Sequence, residues 1–119
     1  MNQARREAEG WGRRAETVAV WLLRLKGYAI LARRERTPVG EIDIVARRGR
    51  TLVAVEVKAR RADTPLRDLI TEAQWRRICR ALELYAARRR FDHLRLRFDV
   101  VFLQPRQWPR HIPDAWRPS

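Results

Sequence analysis

Asp43, Glu56 and Lys58 are the residues of this 119-residue chain whose types and spacing suit metal-assisted chemistry on phosphate. They lie in two apolar, alternating segments, Glu41–Arg47 (EIDIVAR) and Thr51–Ala59 (TLVAVEVKA), with an Arg-Gly-Arg between them. That pattern reads as a β-hairpin. Residues two apart on a strand share a face, so Glu56 and Lys58 point one way while Val55 and Val57 point the other. A turn centred on Gly49-Arg50 pairs residues whose numbers sum to 99. Asp43 then lies opposite Glu56, Ile44 opposite Val55 and Ile42 opposite Val57. A one-residue slip would separate these matched sets, so the apolar pattern favours this register.

Two carboxylates facing each other across a strand pair repel. A divalent cation offsets the repulsion, and hard oxygen ligands suit Mg²⁺ or Mn²⁺. Such an ion neutralises a phosphate oxygen and activates a water, while a neighbouring ammonium steadies charge developing on the phosphoryl group. The alternative is a solvated strand face balanced by nearby arginines. Of the 27 basic residues, 25 are arginine; only Lys26 and Lys58 are lysine. Lys26 precedes Gly27 at a helix end, where any cation serves. Lys58 stands inside an apolar strand, which suggests a need for a compact ammonium that arginine does not meet.

The elements that would position these residues follow from the apolar spacing. Ala15, Val18, Ala19, Leu22 and Leu25 predict a helix over about 11–26, ended by Gly27. Tyr28–Arg34 reads as a first strand, and the hairpin supplies the second and third. Residues 67–90 read as a second helix after a loop around Thr64-Pro65, and Leu94–Leu103 as a fourth strand. The order α-β-β-β-α-β predicts an α/β fold, a mixed sheet with helices packed on it, the second helix carrying the chain across to a parallel strand. Residues 1–103 form the domain on this reading. Residues 104–119 are expected to be an irregular tail, with Trp108 and Trp116 docking back on the body.

The composition limits the classes of function. One domain's length and 45% hydrophobic residues fit a globular chain. Apolar stretches such as Val18–Leu23 are far short of a membrane span. Met1–Arg14 lacks the apolar core of a signal peptide, and the lone Cys79 cannot form an internal disulfide, so the expected location is cytoplasmic. A net charge of +13 points to a polyanionic partner, nucleic acid before membrane. Arginines cluster at 33–36, 47–50, 60–61 and 88–90. Arg47, Arg48 and Arg50 at the hairpin tip, Arg60 and Arg61 after Lys58, and Arg33 and Arg36 are candidate phosphate contacts. The first two groups are expected to border the site. A solvated arginine-rich surface explains some of them equally well.

The segment Gly40-Glu41-Ile42-Asp43-Ile44-Val45-Ala46, followed by Val55-Glu56-Val57-Lys58-Ala59-Arg60, resembles the PD-(D/E)xK nuclease signature. More narrowly it resembles the YraN family, small bacterial proteins expected to be endonucleases distantly related to archaeal Holliday-junction resolvases. Gly12, Glu16, Ala19, Leu22, Gly27-Tyr28 and Leu31-Ala32-Arg33 resemble that family's N-terminal region, and Arg97-Phe98-Asp99-Val100-Val101 its late strand. The resemblance implies a restriction-endonuclease-like fold, Asp43, Glu56 and the carbonyl of Val57 as metal ligands, and Lys58 as the catalytic lysine. It also implies that Glu16 joins the site from the first helix; bottom-up, an acid in a helix's early turns needs no function. Gln74 stands where the family often has a lysine, Ala15 where it has a glycine, and Arg34 where asparagine is common. Gln74 can still hydrogen-bond a phosphate or water but brings no charge. Asp99 is expected to pair with Arg97 or a neighbouring arginine.

Two functional readings follow: a Mg²⁺- or Mn²⁺-dependent endonuclease on DNA, branched or damaged, and a nucleic-acid-binding protein with the nuclease fold and little or no catalysis. A third is a scaffold whose basic surface meets an acidic protein. A one-site nuclease that cuts both strands symmetrically would need a homodimer, and nothing in the sequence identifies its interface.

Overall fold

The computed structural model describes the backbone of residues 2–60, 65 and 69–119, with side chains from residue 12 onward. Its elements are α1 (Asn2–Leu25), β1 (Ala29–Thr37), β2 (Gly40–Arg48), β3 (Thr51–Ala59), α2 (Glu72–Arg88), β4 (Arg95–Leu103) and β5 (Arg110–Trp116). The strands form one sheet in chain order, antiparallel except that β3 and β4 run parallel. The expected αβββαβ order is present, with one strand added at its end.

Each helix covers one face of the sheet. Leu52 and Ala54 of β3 pack with Trp75, Ile78, Leu82 and Tyr85 of α2, whereas Val53 and Val55 pack with Ala15, Ala19 and Leu23 of α1. A strand covered on both faces must be apolar at successive positions, which is why β3 is so rich in valine. The end of α1 is set by Gly27 at φ 90°: Tyr28 N–H donates to the Leu23 carbonyl at 3.0 Å and Gly27 N–H to that of Arg24 at 3.0 Å. No helix among the described residues is long and apolar enough to cross a membrane.

Several boundaries differ from the sequence expectation: α1 begins at Asn2 and not near residue 11, and β1 runs on to Thr37. The second helix starts at Glu72, with Thr71 as its cap; residues 67 and 68 of the expected helix lie outside the described residues, as does Thr64 of the loop before it. Thr71 Oγ1 accepts from the Gln74 N–H at 3.1 Å, and Gln74 Oε1 accepts from the Thr71 N–H at 2.8 Å, a reciprocal cap that stops the helix from extending backwards. The tail is the larger correction. Arg110–Trp116 is a fifth strand, not an irregular segment, and Pro113 is tolerated because β5 is an edge. Trp116 docks as expected, stacked on Trp75 at 5.9 Å with its Nε1–H donating to Glu72 at 2.9 Å. Trp108 does not dock; it is 91% exposed.

Asp99 is what fastens β5. Its carboxylate is fully buried and accepts from Arg97 Nε and Nη2 at 2.9 and 2.8 Å, His111 Nε2 at 2.7 Å and the Asp114 N–H at 2.9 Å. Burial alone would raise its pKa, but the bonds from His111, Arg97 and the Asp114 amide outweigh it and hold the carboxyl below its usual range. Arg97 also reaches Tyr28, and Lys26 Nζ sits 2.5 Å from His111 Nδ1, tying β4 and β5 to the end of α1. Removing Arg97 leaves this buried charge short of a partner. Arg97→Ala is expected to destabilise the fold by about 3 kcal/mol. Arg36→Ala, which removes only an exposed pair with Glu41, should cost under about 1 kcal/mol. Urea denaturation of both variants checks the contrast.

Candidate functional site

The hairpin keeps the expected register over five pairs, from Arg48↔Thr51 to Ile44↔Val55, each summing to 99. Beyond Ile44 and Val55 no further pair forms, and the two acids take over the backbone donors. Asp43 N–H donates to Glu56 Oε2 at 3.2 Å, and Val57 N–H donates to Asp43 Oδ2 at 2.9 Å. The two acids therefore share the rim where the strands part, but they are not the cross-strand pair that the register predicts, and they open to different clefts.

Alternation does not continue through Asp43. Ile44 and Ala46 face α1 and Val45 faces α2, yet Ile42 packs in the α2 cluster. Ile42 is thus not the partner of Val57, which packs against the α1 cluster. The neighbouring strand leaves a gap in its ladder at the matching point, although its register shifts elsewhere, between Ile30 and Ala32. β1 pairs Arg33↔Ile44 and Glu35↔Ile42, skipping Arg34, whose φ is 51°. No extra residue is inserted there; the left-handed Arg34 and the missing pair coincide with the change of face in β2. That change gives Asp43 access to the α1 face and leaves Glu56 on the α2 face.

Each face has its own cleft. Asp43 and Val57 line one of about 450 Å³ with Gly12, Arg13, Glu16, Arg34 and Glu41. Glu56 and Lys58 line a smaller one of about 140 Å³ with Gly40, Glu41, Gln74 and Arg77. Glu16 is carried there by α1, 7% exposed, and accepts from Arg33 Nε at 3.3 Å and Arg34 Nε at 3.1 Å. Burial, then the charge of Asp43, push the Glu56 carboxyl up to about 8; burial likewise raises Asp43, against the pull of the Val57 amide and Lys58. Among the described residues no group of three or more Asp, Glu, His or Cys forms a complete protein cage for a metal. Two desolvated carboxylates with raised pKa values nonetheless suit a hard cation that keeps most of its waters, as Mg²⁺ does.

The other expected contacts divide. Arg60 is exposed and stands two residues after Lys58; Arg61 lies outside the described residues. Arg47, Arg48 and Arg50 do not border the site. Gly49 is six steps along the chain from Asp43, about 20 Å at 3.3 Å per residue. At that far end Arg47 lies over Phe91 and Arg48 over Tyr28. Arg33 reaches the site but is engaged with Glu16, and Arg36 pairs loosely with Glu41 at 3.8 Å. Gln74 lines the Lys58 cleft with its carbonyl oxygen committed to the helix cap. Sequence reading missed Arg13 and left Arg77, with Arg76 and Arg80 on the second helix, as an ambiguous phosphate contact. Helical spacing held the clue, since Arg13 is three residues before Glu16 and Arg77 three after Gln74.

The model of the uncharacterised protein family UPF0102 matches residues 15–103. A UPF0102 protein of Parvibaculum lavamentivorans is 56% identical over 108 residues, covering 90% of this chain and 81% of that one. Another from Maricaulis maris is 48% identical, covering 100% of this chain and 94% of its own. Among solved structures, Hjc of Archaeoglobus fulgidus, a Holliday junction resolvase, superposes with a TM-score of 0.56 and 27% identity, over 84% of this chain and 73% of that one. The fold is thus the mixed α/β fold of that resolvase.

The raised pKa of Glu56 has a consequence for stability. Its folded-state value of about 8 lies above the ordinary 4.5, so its stabilising contribution is whole below pH 4.5 and is lost as pH rises through about 8. In chelator, the chain should therefore melt at a lower temperature at about pH 9 than at about pH 6, and Glu56→Gln should flatten that fall. Calorimetric scans across this range decide it; equal pH slopes in both proteins would refute the assignment.

Proposed function

Since this chain belongs to the uncharacterised protein family UPF0102 and shares its fold with a Holliday junction resolvase, we propose that it is a divalent-metal-dependent DNA endonuclease. The observation that carries the reading is the Asp43–Glu56 pair: two acids forced together in a desolvated rim, with Lys58 beside them. Folding alone gains little from that arrangement, because burial raises the pKa of both acids and the charge of Asp43 raises that of Glu56 further.

Asp43 and Glu56, with the carbonyl of Val57, would hold Mg²⁺ or Mn²⁺. When bound, the ion supplies Lewis-acid polarisation of a phosphoryl oxygen and a more acidic water. Lys58 shares the cleft of Glu56 and donates from a compact ammonium to the attacking water and to charge building on the phosphate. Arg77 and Arg13 flank the acids, one on each face, placed to take the neighbouring phosphates. Glu16 orients Arg33 and Arg34 along the same rim. A branched or damaged DNA fits better than a sequence-specific site, since no groove-reading motif is present among the described residues.

A second reading, nucleic-acid binding without cleavage, draws support from Glu16, whose oxygens are already engaged by two arginines. Cutting assays separate the two. Linear, flapped and four-way-junction DNA are incubated with the chain in Mg²⁺ or Mn²⁺. The expected result is metal-dependent cleavage that Asp43→Ala abolishes and Lys58→Ala slows by about 100-fold or more. Salt-sensitive binding with no cleavage of any substrate would leave the second reading standing alone. The metal is tested separately from activity. Mn²⁺ at about 100 times its dissociation constant should stabilise the fold by about 2.7 kcal/mol, a gain that Glu56→Gln removes.

A further inference from the structure

Trp108 is an indole held in water at the working end of the sheet. β4 runs parallel to β3 with Lys58↔Phe102 and Ala59↔Leu103 in register, and Arg60 N–H donates to the Leu103 carbonyl at 3.0 Å. The loop that leaves β4 therefore emerges beside Lys58 and Arg60, not at the hairpin tip. β5 returns with Arg110 opposite Phe102. Lys58, Phe102 and Arg110 thus line up across three strands, placing the base of the loop about 10 Å from Lys58 at 4.8 Å per strand.

The loop is built to present its side chain. Gln107 N–H donates to the Gln104 carbonyl at 3.3 Å, with Pro105 second and Arg106 third in the turn. Arg106 has φ 62°, a conformation that this kind of turn normally gives to glycine. Pro109 follows Trp108 and restricts the exit. Between these fixed points Trp108 is 91% exposed, although Trp75 of α2 and Trp116 of β5 pack together. An indole packs roughly 150–250 Å² when it is buried, so leaving one in water forgoes a large stabilisation.

Its surroundings select the partner. Arg60, Arg106 and Arg110 are exposed around it, and the segment 104–110 contains no acid. An apolar protein surface would ask for further apolar side chains beside the indole, and here they are Gln107, Pro109 and arginines. A flat aromatic ring among cations suits a nucleobase with its flanking phosphates.

We propose that Trp108 stacks on an unpaired base close to the cleaved phosphate, with Arg60, Arg106 and Arg110 taking the adjoining backbone. This rests on the nuclease reading and narrows its substrate. The DNA already carries unpaired bases within about 10 Å of the cut, roughly three base-pair rises, as at a flap, gap or branch point. A fully paired duplex hides its base faces in the stack and gives Trp108 nothing to cover.

The test measures binding alone, in chelator, so that it does not depend on cleavage. The full chain, Trp108→Ala and Trp108→Phe are titrated onto labelled flap, four-way-junction and matched duplex DNA. 2-Aminopurine replaces the base nearest the branch. Trp108→Ala is expected to weaken flap and junction binding about tenfold, in line with base–aromatic stacking, and to leave duplex binding unchanged. Trp108→Phe should recover most of the loss, and the 2-aminopurine emission change of the wild type should vanish in Trp108→Ala. Equal losses on all three DNAs, or no loss on any, overturn the proposal while leaving the nuclease reading intact. If the wild type binds no DNA, the nuclease reading fails and takes this proposal with it.

Discussion

The rest of the site depends on one substitution of hydrogen bonds: where β2 and β3 would go on pairing, two carboxylates accept the backbone donors instead. A buried amide must find an acceptor, so the acids are held in place by the sheet's own need for satisfaction. Their proximity is then not a matter of side-chain choice. Asp43 cannot leave without orphaning the Val57 N–H, nor Glu56 without orphaning that of Asp43. Burial, and for Glu56 also the charge of Asp43, presses against this arrangement, and raised pKa values are how the pressure shows.

The sheet tolerates such a rim because the strain is confined. Arg34 in β1 and Asp43 in β2 are left without a ladder pair at the same point, and β2 changes face there, with Ile44 toward α1 and Ile42 toward α2. Arg34 takes a left-handed conformation that an L residue adopts at a cost, and its side chain is fixed by Glu16. Below this line the hairpin is regular and apolar on both faces. Above it the acids open to two clefts, one under each helix. A regular strand pair would have put Asp43 and Glu56 on one face only. The break lets groups from α1 and from α2 converge on the same pair.

Much of this was legible in the sequence, and the failures share a cause. The hairpin register followed from matching valines and isoleucines about Gly49, because a buried face punishes a slip. The pairing of Asp99 with Arg97 followed from adjacency on one strand face. β5 was not legible, since Pro109, Pro113 and Asp114 contradict strand propensity. What holds it is a contact to Asp99 and a stack on Trp75, both distant in sequence. The flip at Asp43 was hidden for the same reason: a single-residue irregularity leaves the apolar pattern nearly unchanged, and Ile42 suits either layer. Placing the hairpin-tip arginines near the site confused nearness in sequence with nearness along a rigid strand. Trp108 was expected to dock because tryptophans usually do, and only the loop's geometry shows it held out.

Asp99 and the Asp43–Glu56 pair give the comparison that bears most on function. Both sit in the same sheet, and both are carboxylates taken out of water. Around Asp99 the chain supplies all the compensation itself: a bidentate arginine, a histidine and an amide, leaving the acid below its usual pKa. Around Asp43 and Glu56 it supplies two amides and places a second acid instead of a cation in contact, with Lys58 near but bonded to neither. A chain with 25 arginines has no shortage of cations to neutralise a structural acid. That it does so at Asp99 and not at the rim means the rim's missing charge is left to be met from outside the chain.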